Sequence, residues 1–223
     1  MKNSPGRPLT SSTLSFEART IVIETATNVC SVALFQEDKL LASFTETIGR
    51  GHAERLIPMI AKLPDGGRAA AIVVGCGPGS FTGIRVGVAA ARALGLAWGA
   101  SVHGYSTMAL MAAQAFAQDN SLDAIGVVQI GGHGELFVQS FQRTPFANDS
   151  QLESLPPSDA VSFLATKHIA GSAAQQFIAA RGYGVEVAVN LTAESIRTLP
   201  AAFKTMPPSP LYVRGADARP MAT

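Results

Sequence analysis

The sequence predicts an α/β protein of two lobes, each a mixed sheet flanked by helices. Three observations carry this reading. Strand-like runs at 20–24, 29–35 and 40–47 are joined by short polar or turn-prone stretches, so an antiparallel meander is the simplest topology. Segments of helical period then alternate with short apolar runs, as in parallel α/β units. The same progression, hairpin first and alternation after, begins again at residue 124, which suggests a duplication. With 223 residues, the chain can bury roughly 70–75% of its unfolded surface and needs neither disulfide nor metal to hold a core. The expected division is a loose Ser/Thr/Pro-rich tail over 1–19, a first lobe over 20–120 and a second over 121–223.

After the meander a helix is expected from His52 to Leu63, where Leu56, Ile57, Ile60 and Leu63 make one apolar stripe. Pro58 lies inside it, removes the bond to the Glu54 carbonyl and costs up to about 3 kcal/mol in a helix interior, so this helix should be short or kinked. Residues 64–68 (PDGGR) read as a turn and 70–75 (AAIVVG) as a buried parallel strand. The glycine-rich stretch Gly75–Gly87 leads into a long helix ending near Trp98, and a strand at 101–103 and a helix at 107–118 complete the first lobe. The second lobe reads as strand 124–130, turn 131–134, strand 135–142, helix 158–166, strand 167–170, helix 172–181, strand 185–189 and helix 192–203.

Charged residues make up 15% of the chain, with 17 Lys plus Arg against 16 Asp plus Glu. That excludes a disordered tail protein and a polybasic nucleic-acid binder. Basic residues are scattered, and none occurs from 93 to 142, so no stripe tracks a phosphate backbone. The only cysteines, Cys30 and Cys76, have no Cys or His at metal-ligand spacing, which points to a reduced, cytoplasmic setting. No apolar run is long enough to span a bilayer. His52, His103, His133 and His168 lie at no metal-binding spacing, and His133 in its Gly-Gly-His-Gly-Glu turn is the least bland of them.

A strand, a glycine-rich turn and a helix N-terminus form the setting in which backbone amides cradle phosphate. The specific signatures nevertheless fail. No Gly-Lys-Ser/Thr follows, Ser80 has Pro78 and Thr82 two positions away where a nucleophile elbow needs glycines, and no Asp or Glu occurs between Asp65 and Asp119 to hold a ribose. Two readings stand: a structural turn, or a nucleotide or phosphate contact through Gly77, Gly79 and Ser80 with a carboxylate from Glu24. The helix that follows places Gly83, Gly87, Ala91 and Gly95 four residues apart on one face. Each helical glycine costs roughly 1 kcal/mol against alanine, so something must pack very close. That face either sits on the lobe's own sheet or meets a partner, with Ile84, Val88 and the Leu56/Ile57/Ile60 stripe joining the contact. The low charge and the proline-containing apolar helix favour a partner.

Taken together, IVIETATNVCSVALF, GHAERLIPMI, GCGPGSFTGIRVGVAAARALGLAWG, HGYSTMALMA and PLYVRGADA resemble the family of tRNA threonylcarbamoyladenosine biosynthesis protein TsaB. The resemblance covers about residues 20–120, thins through 121–205 and returns at the end. It implies two actin-like lobes on ribonuclease-H-like sheets, and a non-catalytic scaffold or activating subunit that heterodimerises with TsaD in modifying the adenosine beside the anticodon. It further implies association through the GHAERL helix and the helix after the glycine loop, a homodimer when alone, and tRNA contacted only through the complex. No cofactor is required; ATP or ADP at a composite interface and a TsaE-type ATPase are its further implications. The catalytic relative has a His-x-x-x-His metal pair where this chain has Thr107 and Met111, so neither a metal site nor catalysis is expected here. Many members have Asp in place of Glu24, and an arginine-containing hairpin in place of Ile130–Phe137. The competing readings are an independent actin-like hydrolase or phosphotransferase and a homodimeric nucleotide-binding module.

Overall fold

The computed structural model describes residues 18–213, so the tail expected over 1–19 lies, except for its last two residues, outside the described part. The first lobe opens with the meander β1 (Arg19–Glu24), β2 (Val29–Gln36) and β3 (Lys39–Thr47). It continues through α1 (His52–Ala61), β4 (Ala71–Gly75), α2 (Phe81–Trp98), β5 (Ser101–Tyr105) and α3 (Thr107–Gln118). Strand order is β3-β2-β1-β4-β5, with β1, β2 and β3 antiparallel and β4 and β5 added in parallel to β1. The second lobe comprises β6 (Ala124–Ile130), β7 (Leu136–Gln142), β8 (Ala147–Asn148), β9 (Glu153–Leu155), α4 (Pro157–Phe163), β10 (His168–Ala170), α5 (Ala174–Arg181) and β11 (Val185–Glu186). Its order is β11-β10-β6-β7-β8, with β9 also pairing β7. Read from the other edge, this is the first sheet again: an antiparallel hairpin at the centre, a third antiparallel segment outside it, and two parallel strands on the far side. The duplication that the halves' sequences only suggest is explicit in the strand order.

Alternation along the strands assigns their two faces. Ile21, Ile23, Val32, Leu34, Ile72 and Val74 point to the core under α1 and α2. Val22, Ala33, Phe35 and Val73 point to a second core, which they share with Ile125, Val127 and Phe141 of the other sheet. Val128, Leu136 and Val138 face a third core, closed by α4 and α5. The layers therefore run α1/α2, first sheet, α3, second sheet, α4/α5. Helix α3 has no charged residue and is buried along nearly its whole length, and its alanines let both sheets approach it. Residues 191–199 fill the rest of this middle layer: Leu191, Ala193, Ile196 and Leu199 are buried there, and Ala193 N donates to Ser31 Oγ of β2 at 2.9 Å. One continuous core thus joins the lobes.

The structure departs from the sequence expectations at identifiable points. Helix α1 is short, as Pro58 leads one to expect, ending at Ala61 rather than Leu63, but it continues through Pro58, where burial of Leu56, Met59 and Ile60 offsets the missing bond. The helix expected over 192–203 is replaced by two 3-10 turns, Ala193–Thr198 and Ala201–Phe203. Thr192 and Ser195 start the first by mutual capping, and Pro200 forbids continuation into the second. The strand expected over 185–189 pairs only at Val185 and Glu186. The short strands β8 and β9 lie in the stretch read as a loop.

Candidate functional site

Two regions bring the candidate residues together: the cleft between the lobes, bordered by the glycine loop, and the outer helices α1 and α2.

Glu24 ends β1 and is fully buried. Its Oε1 accepts from Ala26 N at 2.6 Å, and its Oε2 accepts from Tyr105 Oη at 2.9 Å and Thr107 Oγ1 at 3.3 Å. Burial pushes this carboxyl above the usual carboxylate range, while the hydrogen bonds from Ala26, Tyr105 and Thr107 pull the other way. Burial and the neighbouring Glu24 likewise raise the Tyr105 phenol well above its ordinary value. A Cβ at Gly75 would lie 2.6 Å from Glu24 Oε2, so the adjacent strand carries glycine where the carboxyl is stowed. Glu24 is not among the residues lining the cleft.

The glycine loop is clamped onto the β1–β2 turn. Ser80 N donates to Ala26 O at 2.7 Å, and Thr107 N donates to Gly77 O at 2.9 Å. Gly79, with φ near +158°, leaves no room for a side chain: a Cβ would stand 2.1 Å from Ala26 O. Ser80 caps α2 by accepting from Gly83 N at 3.2 Å. Of the four residues proposed for a cofactor, Gly79 and Ser80 border the cleft, whereas Gly77 and Glu24 do not. The amides of Ser80 and of Gly83, in the first turn of α2, are used within the lobe.

The cleft encloses about 730 Å³ between residues 26–29, Gly49, 79–80, Met111, 129–130, 171–172 and 186–191. Glu186 is the only charged residue in this lining. At its base Gln129, near the end of β6 and so in the place that Glu24 holds in the first repeat, accepts from Ser172 Oγ at 2.6 Å and donates to Met111 Sδ at 2.9 Å. Gln129, Ser172 and Asn28 escape sequence reasoning because no motif joins them; only the repeated strand order brings them together. Thr107 and Met111 are both committed to packing, the first against Glu24 and the second against Gln129. His133 is exposed at the tip of the β6–β7 turn with φ near +57°. Both cysteines are buried free thiols whose pKa burial pushes up to about 11. Among the described residues no group of three His, Cys, Asp or Glu is placed to hold a metal, and no helix is long and apolar enough to cross a membrane.

The expected partner interface needs correction. Leu56, Ile60, Gly83, Ile84, Gly87, Val88, Ala91 and Gly95 are all buried inside the first lobe, and Ile57 alone of that set is exposed. The close neighbours demanded by the glycines are the lobe's own β1–β2 turn and sheet. A Cβ at Gly83 would lie 2.1 Å from Thr25 O, at Gly87 2.3 Å from Thr25 Oγ1, and at Gly95 2.3 Å from Val102 Cγ2. What α1 and α2 turn outward is a different face. Ile57 is 49% exposed, Phe81 60% and Leu96 89%, and Ala53, Pro58, Ala89 and Ala93 are exposed with them.

Duplicated sheets of this order, closed around an inter-lobe cleft, define an actin-like fold. Within that class the chain belongs to the family described as "TsaD: tRNA N6-adenosine threonylcarbamoyltransferase", whose model matches residues 40–199. The Escherichia coli K12 protein named tRNA threonylcarbamoyladenosine biosynthesis protein TsaB is 34% identical over 130 residues, 56% of this chain and 55% of that protein. The Haemophilus influenzae protein of the same name is 39% identical over 103 residues, 43% of this chain and 42% of that protein. The chain thus spans about half the length of the curated relatives it matches. These relatives bear out the TsaB resemblance read from the motifs. The solved structure of YeaZ from Pseudomonas aeruginosa superposes with a TM-score of 0.73 over 87% of this chain and 99% of that one, at 24% identity, which establishes the shared fold.

Proposed function

We propose that the chain is a non-catalytic accessory subunit in the formation of threonylcarbamoyladenosine on tRNA, acting by association with a catalytic TsaD subunit. The observation that carries this reading is the outer face of α1 and α2, where Ile57, Phe81 and Leu96 stand in solvent on two helices that pack side by side. Large apolar side chains exposed along one pair of helices in this way mark a protein contact. The residues at the positions of the catalytic relative's imidazole pair support the same reading: Thr107 and Met111 hold Glu24 and Gln129 in place and supply no imidazole for a metal. tRNA is reached through the complex, and a TsaE-type ATPase or a nucleotide at the composite interface belongs to the same reading.

The test is reconstitution. Mixed with the catalytic subunit from the same organism, the purified chain gives a 1:1 complex by analytical ultracentrifugation and raises threonylcarbamoyladenosine formation. Absence of a complex, or equal product with and without the chain, refutes the proposal. Product formed by this chain alone would establish an independent enzyme instead.

A further inference from the structure

Residues 206–213 strap across the first lobe. Met206 pairs with Gly104 on the open edge of β5, with bonds of 2.6 and 3.1 Å. Leu211 N donates to Cys76 O at 2.9 Å, and the Leu211 side chain packs on the core under α1 and α2. The strap thereby delivers Tyr212 to the first turns of α2. There Arg85 lies with its guanidinium carbon 3.6 Å from the Phe81 ring centroid and 5.7 Å from that of Tyr212, and its Nε donates to Tyr212 Oη at 3.1 Å. All three side chains are exposed. Among the described residues neither terminal nitrogen of Arg85 has a protein acceptor, and no carboxylate pairs with it.

We infer that the Phe81–Arg85–Tyr212 stack is the anchor of the docking face and receives a carboxylate of the partner protein. Two rings fix the guanidinium before binding, so less side-chain entropy is lost when its fork closes on a carboxylate. Aromatic residues and arginine are also the types that dominate interface energetics. Charge selects the occupant. Helix α2 carries Arg85 and Arg92 and no acid, and the one acid of α1, Glu54, is matched on that helix by Arg55, so the two helices together are net basic. The α2 helix of a second copy would bring the same two arginines, whereas a different subunit with an acidic, partly apolar helix complements this face. This inference rests on the accessory-subunit reading and adds the residue that selects the partner.

Affinity for the purified catalytic subunit, measured by titration calorimetry at low and high salt, tests it. Arg85→Ala should weaken binding at least about tenfold, and Arg85→Lys, which keeps the charge but loses the planar fork, about fivefold. Tyr212→Ala should weaken it about fivefold, whereas Arg92→Gln, which removes an equal charge outside the stack, should change it less than about threefold. These side chains are exposed, so unchanged melting temperatures verify folding. The partner acid is found by reversing surface acids of the catalytic subunit one at a time, and one reversal should restore binding to Arg85→Glu. If the wild-type chain binds but Arg85→Ala binds equally well, or Arg92→Gln loses as much as Arg85→Ala, the anchor is refuted while the accessory reading survives. If the wild-type chain forms no complex, both fall.

Discussion

Replacing Gly87 by alanine separates a helix face spent on the protein's own sheet from one offered to a partner. On an exposed face the substitution stabilises, because alanine outranks glycine in a helix by roughly 1 kcal/mol. Here the new methyl would lie 2.3 Å from Thr25 Oγ1, the group that donates to Gly83 O at 2.8 Å. Overpacking of this kind costs about 1–3 kcal/mol, and displacing Thr25 forfeits a buried hydrogen bond worth roughly 1 kcal/mol more. The net expectation is a loss of about 1–3 kcal/mol after the helical gain. The other neighbours, Val74 Cγ2 at 3.5 Å and Thr25 Cβ at 3.6 Å, are at ordinary contact distance. Thr25→Ala removes the clashing hydroxyl together with the γ-methyl and should therefore make Gly87→Ala nearly neutral or stabilising in that background. The double-mutant cycle then shows a coupling of about 1–3 kcal/mol. Urea denaturation of the four proteins measures it, and in heat each 1 kcal/mol shifts Tm by about 2–4 °C in a chain of this size. Stabilisation by Gly87→Ala in the wild-type background, or additivity of the two changes, refutes this packing.

Other outcomes follow from the buried polar groups and the outer helices. Because burial raises the folded-state pKa of Glu24 above its unfolded value, its contribution is fully present below about 4.5 and is lost as pH rises through the folded value. Glu24→Gln, whose amide can donate to the Tyr105 and Thr107 hydroxyls, should flatten that decline; urea midpoints from pH 4.5 to 8 that run parallel for the two proteins contradict it. Ser31→Ala leaves Ala193 N without its buried acceptor and should cost about 1–3 kcal/mol, with faster amide exchange across 191–199. Exchange accelerated only around residue 31 would refute the shared core. Leu96→Asp should cost only about 0.5–1.5 kcal/mol, from helix propensity and the negative charge in the last turn of α2, since the side chain is in solvent, yet weaken the complex at least about tenfold; unchanged affinity removes Leu96 from the interface.

Much of the first lobe is legible in its sequence because each segment there obeys one period. Near-continuous apolar runs mark β1 and β2 as strands buried on both faces, with β3 their partly exposed neighbour, and Thr107–Gln118, capped by Ser106, begins and ends where the pattern places it. The glycines of α2 are legible only in part. Spacing of four states that something approaches closely, but a β-strand underneath and a helix from another molecule impose the same requirement. Three-dimensional neighbours decide for Thr25 and Val102. Glu24 shows the same limit: a carboxylate at a strand end reads as a ligand group, and only the surrounding Tyr105, Thr107 and Gly75 show it to be enclosed. The 192–203 stretch misleads because Leu191, Ile196 and Leu199 are set by contact with the first sheet, not by a helical face, and Pro200 divides it. The cleft is least legible, since its walls come from distant segments that share no motif.

The central claim is that this chain serves a catalytic partner through the outward face of α1 and α2. Threonylcarbamoyladenosine formation by the catalytic subunit, titrated with the wild-type chain and with the double variant Ile57→Asp/Leu96→Asp, tests it most directly. The account predicts saturable stimulation by the wild type, and product at the level of the catalytic subunit alone with a double variant that still shows a cooperative urea transition. Equal stimulation by both proteins would contradict it.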